Sequence, residues 1–231
     1  MREIVLDTET TGFDPETGDR LVEIGAVELV RHMPTGAQYH QYINPERAVP
    51  ESAIEIHGLT DDFLRDKPKF AAVAQDFLDF IGDAKLVIHN AAFDMKFLNA
   101  ELRWLNMPQI DYDRAIDTLE IARKKFPGSP ASLDALCRRY GIDNSARTLH
   151  GALLDSEILA EVYLELIGGR QPDLVLAGAG DHGSGQTANG EAWRPQPRPK
   201  PLPSRVTSEE TEAHAEFVTK LGENALWSRF S

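Results

Sequence analysis

The sequence predicts an α/β domain, a mixed β-sheet flanked by α-helices, followed by a flexible linker and a short docking tail. Three observations predict it. Residues up to Ile43 hold strand-like stretches close enough to pair as hairpins, and from Ala71 onward helical periodicity alternates with a further strand. After Gly178 the composition changes to residues that cannot build a core.

Arg2 to Leu6 reads as a short buried strand, and Leu21, Ile24, Ala26, Val27 and Leu29 mark a second with partly alternating apolar positions. Gln38 to Ile43 adds a third, so the sheet begins antiparallel. Ala71 to Ile81 has helical spacing, Lys85 to His89 is strand-like, and Ala92 to Leu105 is helical with Phe93, Phe97 and Leu98 on one side. Ser132 to Tyr140 and Ala152 to Ile167 continue the helical pattern, the latter stopping at Gly168 and Gly169. The domain boundaries that follow are 1–170 for the folded domain, 171–205 for a linker and 206–231 for a tail. Gly, Ser, Asn and then Pro dominate the linker from Gly178 to Arg205. In the tail, Ala213, Phe217 and Leu221 fall four apart on a helix from Glu209 to Leu221, and Leu226, Trp227 and Phe230 follow. Apolar anchors after a flexible linker suit a segment that docks on another protein.

With 231 residues the chain can bury one good core plus an appendage, and 42% hydrophobic and 26% charged residues are ordinary for a soluble protein. No apolar run reaches the roughly eighteen residues of a membrane span. The strand-like start lacks the pattern of an export signal, so the protein is expected in the cytoplasm. Cys137 has no cysteine to pair with, and Leu133 and Leu136 place it on an inward helix face, where an inert packing role is expected. A net charge of −13 excludes a broad phosphate-gripping surface. Contact with nucleic acid must then be local, and cations held by carboxylates can present the positive charge that the surface lacks.

Candidate chemistry sits at three places. Asp7-Thr8-Glu9-Thr10-Thr11-Gly12 follows an apolar strand directly, so Asp7 and Glu9, at alternate positions, leave the strand end on one side and can converge on an ion. Asn90 reads as the N-cap of a helix, with Asp94 in its first turns, where an acid alone would merely complement the helix dipole. Asp155 lies near the start of a long helix and His150 just before it. Four carboxylates and an imidazole are too many negative groups to cluster without cations. Hard oxygen ligands favour Mg²⁺ or Mn²⁺ over zinc, and two ions about 3.5–4 Å apart stabilise the attacking and leaving oxygens of a phosphoryl transfer. An imidazole titrates near neutrality and suits His150 as general base.

These three motifs resemble the DEDDh exonucleases, a branch of the ribonuclease-H-like superfamily, over roughly Arg2 to Gly168. The resemblance implies a ribonuclease-H-like sheet and a 3'→5' exonuclease using two divalent cations. It implies Asp7, Glu9 and Asp155 as metal ligands, Asp94 as a supporting acid acting through water, and His150 as general base. Thr8, Thr10 and Phe93 fall where the family contacts the terminal nucleotide. His57, in Ile56-His57-Gly58-Leu59-Thr60, belongs to a recurrent family segment and is grouped with them without a chemical role.

Within that family, Ser132-Leu133-Asp134-Ala135-Leu136-Cys137, Ile142-Asp143-Asn144-Ser145 and the run Arg147 to Asp155 are similar to the proofreading (epsilon) subunits of bacterial DNA polymerase III. This implies a DNA 3' end as substrate and the polymerase (alpha) subunit as partner, held by the tail through Phe217, Leu221 and Trp227. Gln171-Pro172-Asp173-Leu174-Val175-Leu176 resembles a peptide that binds the sliding clamp, with Gln171, Leu174 and Leu176 as anchors. Two other readings stand beside this one: an RNA-trimming DEDDh exoribonuclease, and a catalytically inactive binding module. The linker and tail favour the first reading over RNA trimming, and a scaffold has no need for mutually repelling acids.

Overall fold

Ile4, Val5 and Leu6 have no exposed surface, and this apolar run forms the central strand β1 (Arg2–Thr10). Successive side chains of a strand point to opposite faces, so a run buried at every position needs cover on both. The computed structural model describes residues 1–169 and 206–221. Strand β2 (Leu21–Val30) pairs antiparallel with β1, and β3 (Met33–Tyr42) antiparallel with β2. The third strand thus starts earlier than its apolar pattern suggested, because the exposed residues Met33–Ala37 complete the hairpin.

Two short helices, α1 (Glu51–His57) and α2 (Asp61–Leu64), precede α3 (Phe70–Ile81) and strand β4 (Lys85–Ile88), which lies parallel to β1. Helix α4 (Ala91–Trp104) then leads to β5 (Ala115–Asp117), parallel to β4, and directly into α5 (Thr118–Lys125). Helices α6 (Leu133–Tyr140) and α7 (Ala152–Leu166) complete the domain. The sheet order is β3-β2-β1-β4-β5. One face packs Ile4, Leu6, Ile24 and Leu86 against Phe70, Phe77 and Ile81 of α3 and Phe97 and Leu98 of α4. The other packs Val5, Leu29 and Val87 against α5, α6 and α7, and Cys137 is buried there, free.

The described residues 1–169 and 206–221 fall in two separate units of the chain. Within the second unit, α8 (Ser208–Leu221) opens with a reciprocal cap: Thr207 Oγ1 accepts from the Glu210 amide at 3.2 Å, and a Glu210 carboxylate oxygen accepts from the Thr207 amide at 2.8 Å. Its Phe217 and Leu221 are exposed. The linker from Gly178 to Arg205, and Gln171, Leu174, Leu176 and Trp227, lie outside the described residues. Among the described residues no helix is long and apolar enough to cross a membrane.

The start of α7 rests on the backbone of β2. A Cβ added to Gly25 would lie 2.1 Å from the Leu153 nitrogen and 2.2 Å from the Ala152 carbonyl carbon, a clash that no rotamer change relieves. The Ser156 hydroxyl ties the same spot, within 2.9 Å of the Gly25 carbonyl and 2.8 Å of the Ala152 carbonyl. Gly25→Ala is therefore expected to cost about 3 kcal/mol or more in urea unfolding. Gly151→Ala, where an added Cβ meets nothing within 4 Å, should cost less than about 1 kcal/mol. Similar costs for the two would show that α7 does not need the close approach.

Candidate active site

Because side chains alternate along β1, Thr8 shares the face of Ile4 and Leu6, towards α4, while Asp7 and Glu9 share the face of Val5, towards α7. Thr8 Oγ1 donates to a carboxylate oxygen of Asp94 at 2.7 Å and so fixes the α4 acid against the strand end. Asp155 lies in the first turn of α7, held down by the Gly25 contact. One strand and two helices from opposite faces thus deliver four carboxyls to one end of the sheet. One ligand atom each from Glu9, His150 and Asp155 lies within 4.8 Å of the other two. His150 completes that trio; the ligand set that the family resemblance implies has Asp7 beside Glu9 and Asp155.

Crowding shows in the proton affinities. Burial, and then the charges of Asp94, Glu9 and Asp155, hold Asp7 well above its usual range. Burial followed by Asp155 and Glu23 pushes Glu9 up to about 8. Burial raises Asp94 to about 7, although the Thr8 hydroxyl pulls the other way. Glu23 is a further buried acid, directly across the strand pair from Glu9, and its carboxylate lies 2.7 Å from His40 Nε2. The donor set is hard, anionic and short of positive charge, which fits divalent cations of the Mg²⁺ type.

The four expected substrate residues line one cavity of about 220 Å³: Thr8, Thr10, His57 and Phe93, with Glu9 at its wall. His57 is buried, and its Nδ1 accepts from the Leu59 amide at 3.0 Å, which leaves the proton on Nε2. That Nε2 faces the backbone of Thr10 without a well-formed hydrogen bond, and burial lowers the proton affinity of the ring. Phe13, at the rim, is 81% exposed. A larger cavity, about 600 Å³, opens on His89, Asn90, Arg123, Ser132, Arg147 and His150.

Three features escaped the sequence. Asn90 occupies the N-cap position of α4 but in the left-handed conformation, φ 70°, and its side chain makes no cap. Asp117 takes that role, accepting from the amides of Asn90 and Ala91 at 3.2 Å each and from Leu119, in α5, at 2.9 Å. Phe13 is a lone aromatic in a turn, with no periodicity to mark it. Arg147, with its side chain 9% exposed, forks onto both oxygens of Asp155, at 2.7 Å for the Nη2 contact, and also reaches Asp134 and His150. The need of four acids for a counter-charge was the signal that could have picked out an arginine eight residues before Asp155.

A mixed sheet covered on both faces, with acids gathered at the end of its central strand, fits the class of hydrolases that act through divalent cations. The pattern of the exonuclease family matches residues 4–163. The DNA polymerase III subunit epsilon of Rickettsia felis is 49% identical over 224 residues, covering 96% of this chain and 97% of the relative. That of Escherichia coli K12 is 47% identical over 239 residues, covering 98% and 97%. Among solved structures, exonuclease X in complex with 5' overhanging duplex DNA matches at 25% identity and a TM-score of 0.56, over 71% of this chain and 90% of that one. The nuclease domain of 3'hExo, a DEDDh family member bound to rAMP, shares the fold at a TM-score of 0.63 and 22% identity, over 72% and 91%. The chain belongs to the exonuclease family and, within it, to the epsilon subunits; it is a 3'→5' exonuclease.

The crowded acids give the metal-free protein a pH signature. The folded-state affinities of Asp7, Glu9 and Asp94 lie above those of an unfolded chain, so these groups bind more protons in the folded protein, and their contribution to stability falls as pH rises from 4.5 to about 8. In chelator, the melting temperature is expected to drop across that window, and added Mg²⁺ should restore it at the upper end. The Glu9→Gln/Asp94→Asn double variant should flatten the profile. An unchanged slope in that variant would place the pH dependence elsewhere in the protein.

Proposed function

We propose that this exonuclease proofreads for a replicative DNA polymerase, removing mispaired 3'-terminal nucleotides as 5'-monophosphates. The observation that carries the reading is the juxtaposition of the Glu9, His150 and Asp155 ligand atoms with the cavity lined by Thr8, Thr10, His57 and Phe93. Asp7, Glu9 and Asp155 would hold two divalent cations, Mg²⁺ or Mn²⁺, with Asp94 supporting the site from the Thr8 side. Such ions stabilise the attacking and leaving oxygens of phosphodiester hydrolysis. His150 takes the proton of the attacking water.

The 220 Å³ cavity receives the terminal nucleotide. Phe93 and the exposed Phe13 offer faces on which bases stack irrespective of sequence, and His57 forms part of the wall. A splayed end reaches such a cavity more readily than a paired one, because unpairing costs least at a mismatch. The names of the relatives support DNA over RNA as substrate and a polymerase as partner. Val206 to Ser231 would carry the contact with the polymerase alpha subunit, supported by the exposed Phe217 and Leu221 one helical turn apart on α8. Gln171, Leu174 and Leu176 would contact the sliding clamp.

On a labelled oligonucleotide, release of 5'-monophosphates should require Mg²⁺ or Mn²⁺ and run faster from a mispaired than from a paired 3' end. Cleavage that survives chelation would overturn the metal reading, and a preference for RNA would favour the trimming alternative. His150→Ala should lower turnover by about 10² to 10⁴ with metal binding nearly intact. Asp7→Ala should instead weaken metal binding. Recovery of full turnover by His150→Ala at high metal would make His150 a ligand rather than the base.

A fragment ending at Gly169 is expected to keep its activity on short single strands and lose copurification with the polymerase subunit. Tight binding by that fragment would move the contact to the nuclease domain. In the full chain, Gln171→Ala with Leu174→Ala should weaken only association with the clamp.

A further inference from the structure

Arg147 makes polar contacts to three residues at the site, Asp155, Asp134 and His150. Its Nε and Nη2 donate to the two oxygens of Asp155, its Nη1 donates to Asp134 at 2.9 Å, and its Nη2 also donates to Nδ1 of His150 at 2.8 Å. A guanidinium can only donate, so Nδ1 must be the acceptor and the neutral ring carries its proton on Nε2. Nδ1 is also the ring nitrogen that faces Asp155, at 3.5 Å. One side chain therefore occupies both a carboxylate ligand and the lone pair with which His150 would accept a proton on that side. Its charge opposes the crowding at Asp7 and Glu9.

The second anchor differs from the first. Asp155 is almost fully buried, whereas Asp134 on α6 is 45% exposed and accepts a further hydrogen bond from the Asn144 side-chain Nδ2 at 2.9 Å. Losing Asp155 would leave Arg147 still paired, so its release need not strand a buried charge.

We propose that Arg147 is a positioning residue that serves as the counter-charge of the site until a divalent cation displaces it from Asp155 towards Asp134, and that this displacement frees Nδ1 of His150. The proposal rests on the metal-site reading above. It makes the availability of the base conditional on metal loading. The guanidinium and the cation compete for one carboxylate and repel each other, so each weakens the binding of the other.

The two anchors give variants of opposite sign. Binding of Mn²⁺ to the full-length protein, without DNA, can be measured by calorimetry. Arg147→Gln removes the competitor and should tighten Mn²⁺ binding by about fivefold or more, while lowering the metal-free melting temperature. Asp134→Asn removes the outer anchor, leaves Arg147 on Asp155, and should weaken Mn²⁺ binding. In the parent, the ¹⁵N shift of His150 Nδ1 should move on titration with Mg²⁺; in Arg147→Gln it should begin away from the parent's metal-free position. Should Arg147→Gln fail to fold, Arg147→Lys, which keeps the charge but cannot span Asp155 and His150 together, should still bind Mn²⁺ more tightly than the parent. Weaker or unchanged binding in the Arg147 variants would overturn the proposal and make Arg147 a permanent brace. No Mn²⁺ binding by the parent would instead overturn the metal site itself.

Discussion

The structure is organised around a repulsion. Asp7, Glu9, Asp94 and Asp155, with Glu23 across the strand pair from Glu9, are gathered at one end of the sheet, where burial and neighbouring charge push protons onto Asp7, Glu9 and Asp94. Nothing among these acids holds them together. What does is the rest of the fold: the apolar strand β1 between two layers of helices, the seat of α7 on Gly25, the Thr8 hydroxyl on Asp94 and the Arg147 fork on Asp155. The buried fork of Arg20 on Glu101, at 2.7 and 2.8 Å, does the same for the far half of α4. A site that repels itself must be built on rigid elements, and each acid here projects from a strand or from a helix docked on the sheet.

The acids were legible in the sequence because each stands at the end of an element with strong apolar periodicity. A strand running into Asp7 and Glu9, and helices opening at Asp94 and Asp155, leave few ways to place those side chains. The long helices and the first, second and fourth strands were readable for the same reason. Helices α1 and α2 and strand β5 were not, since four to seven residues in a helix or three in a strand hold too little pattern. Asn90 shows a different limit: its side chain suits a cap, but its left-handed backbone turns it away and Asp117 takes over from 27 residues along the chain. Arg147 belongs with it, because its partners are defined by the approach of α6 and α7 and not by spacing.

The segment between α6 and α7 carries His150 without a regular element, and its position comes from neighbours. The His150 amide donates to the Ile56 carbonyl at 3.0 Å, and Leu149 lies against Gly58, where an added Cβ would come within 2.7 Å of its Cδ1. Helix α1, whose His57 lines the smaller cavity, thus also sets the height of the histidine. Cavity and histidine are coupled through one short helix.

Asp117 carries a consequence of its own. Its carboxylate accepts from the first amides of α4 and of α5, so two helix ends that would ordinarily fray independently share one acceptor. Opening either end strains the bonds of the other. Amide protons at Asn90, Ala91 and Leu119 are therefore expected to exchange together, although they lie on separate helices. The rim of the larger cavity, where Asn90 and Leu119 sit, thus draws two helix ends onto one shared acceptor.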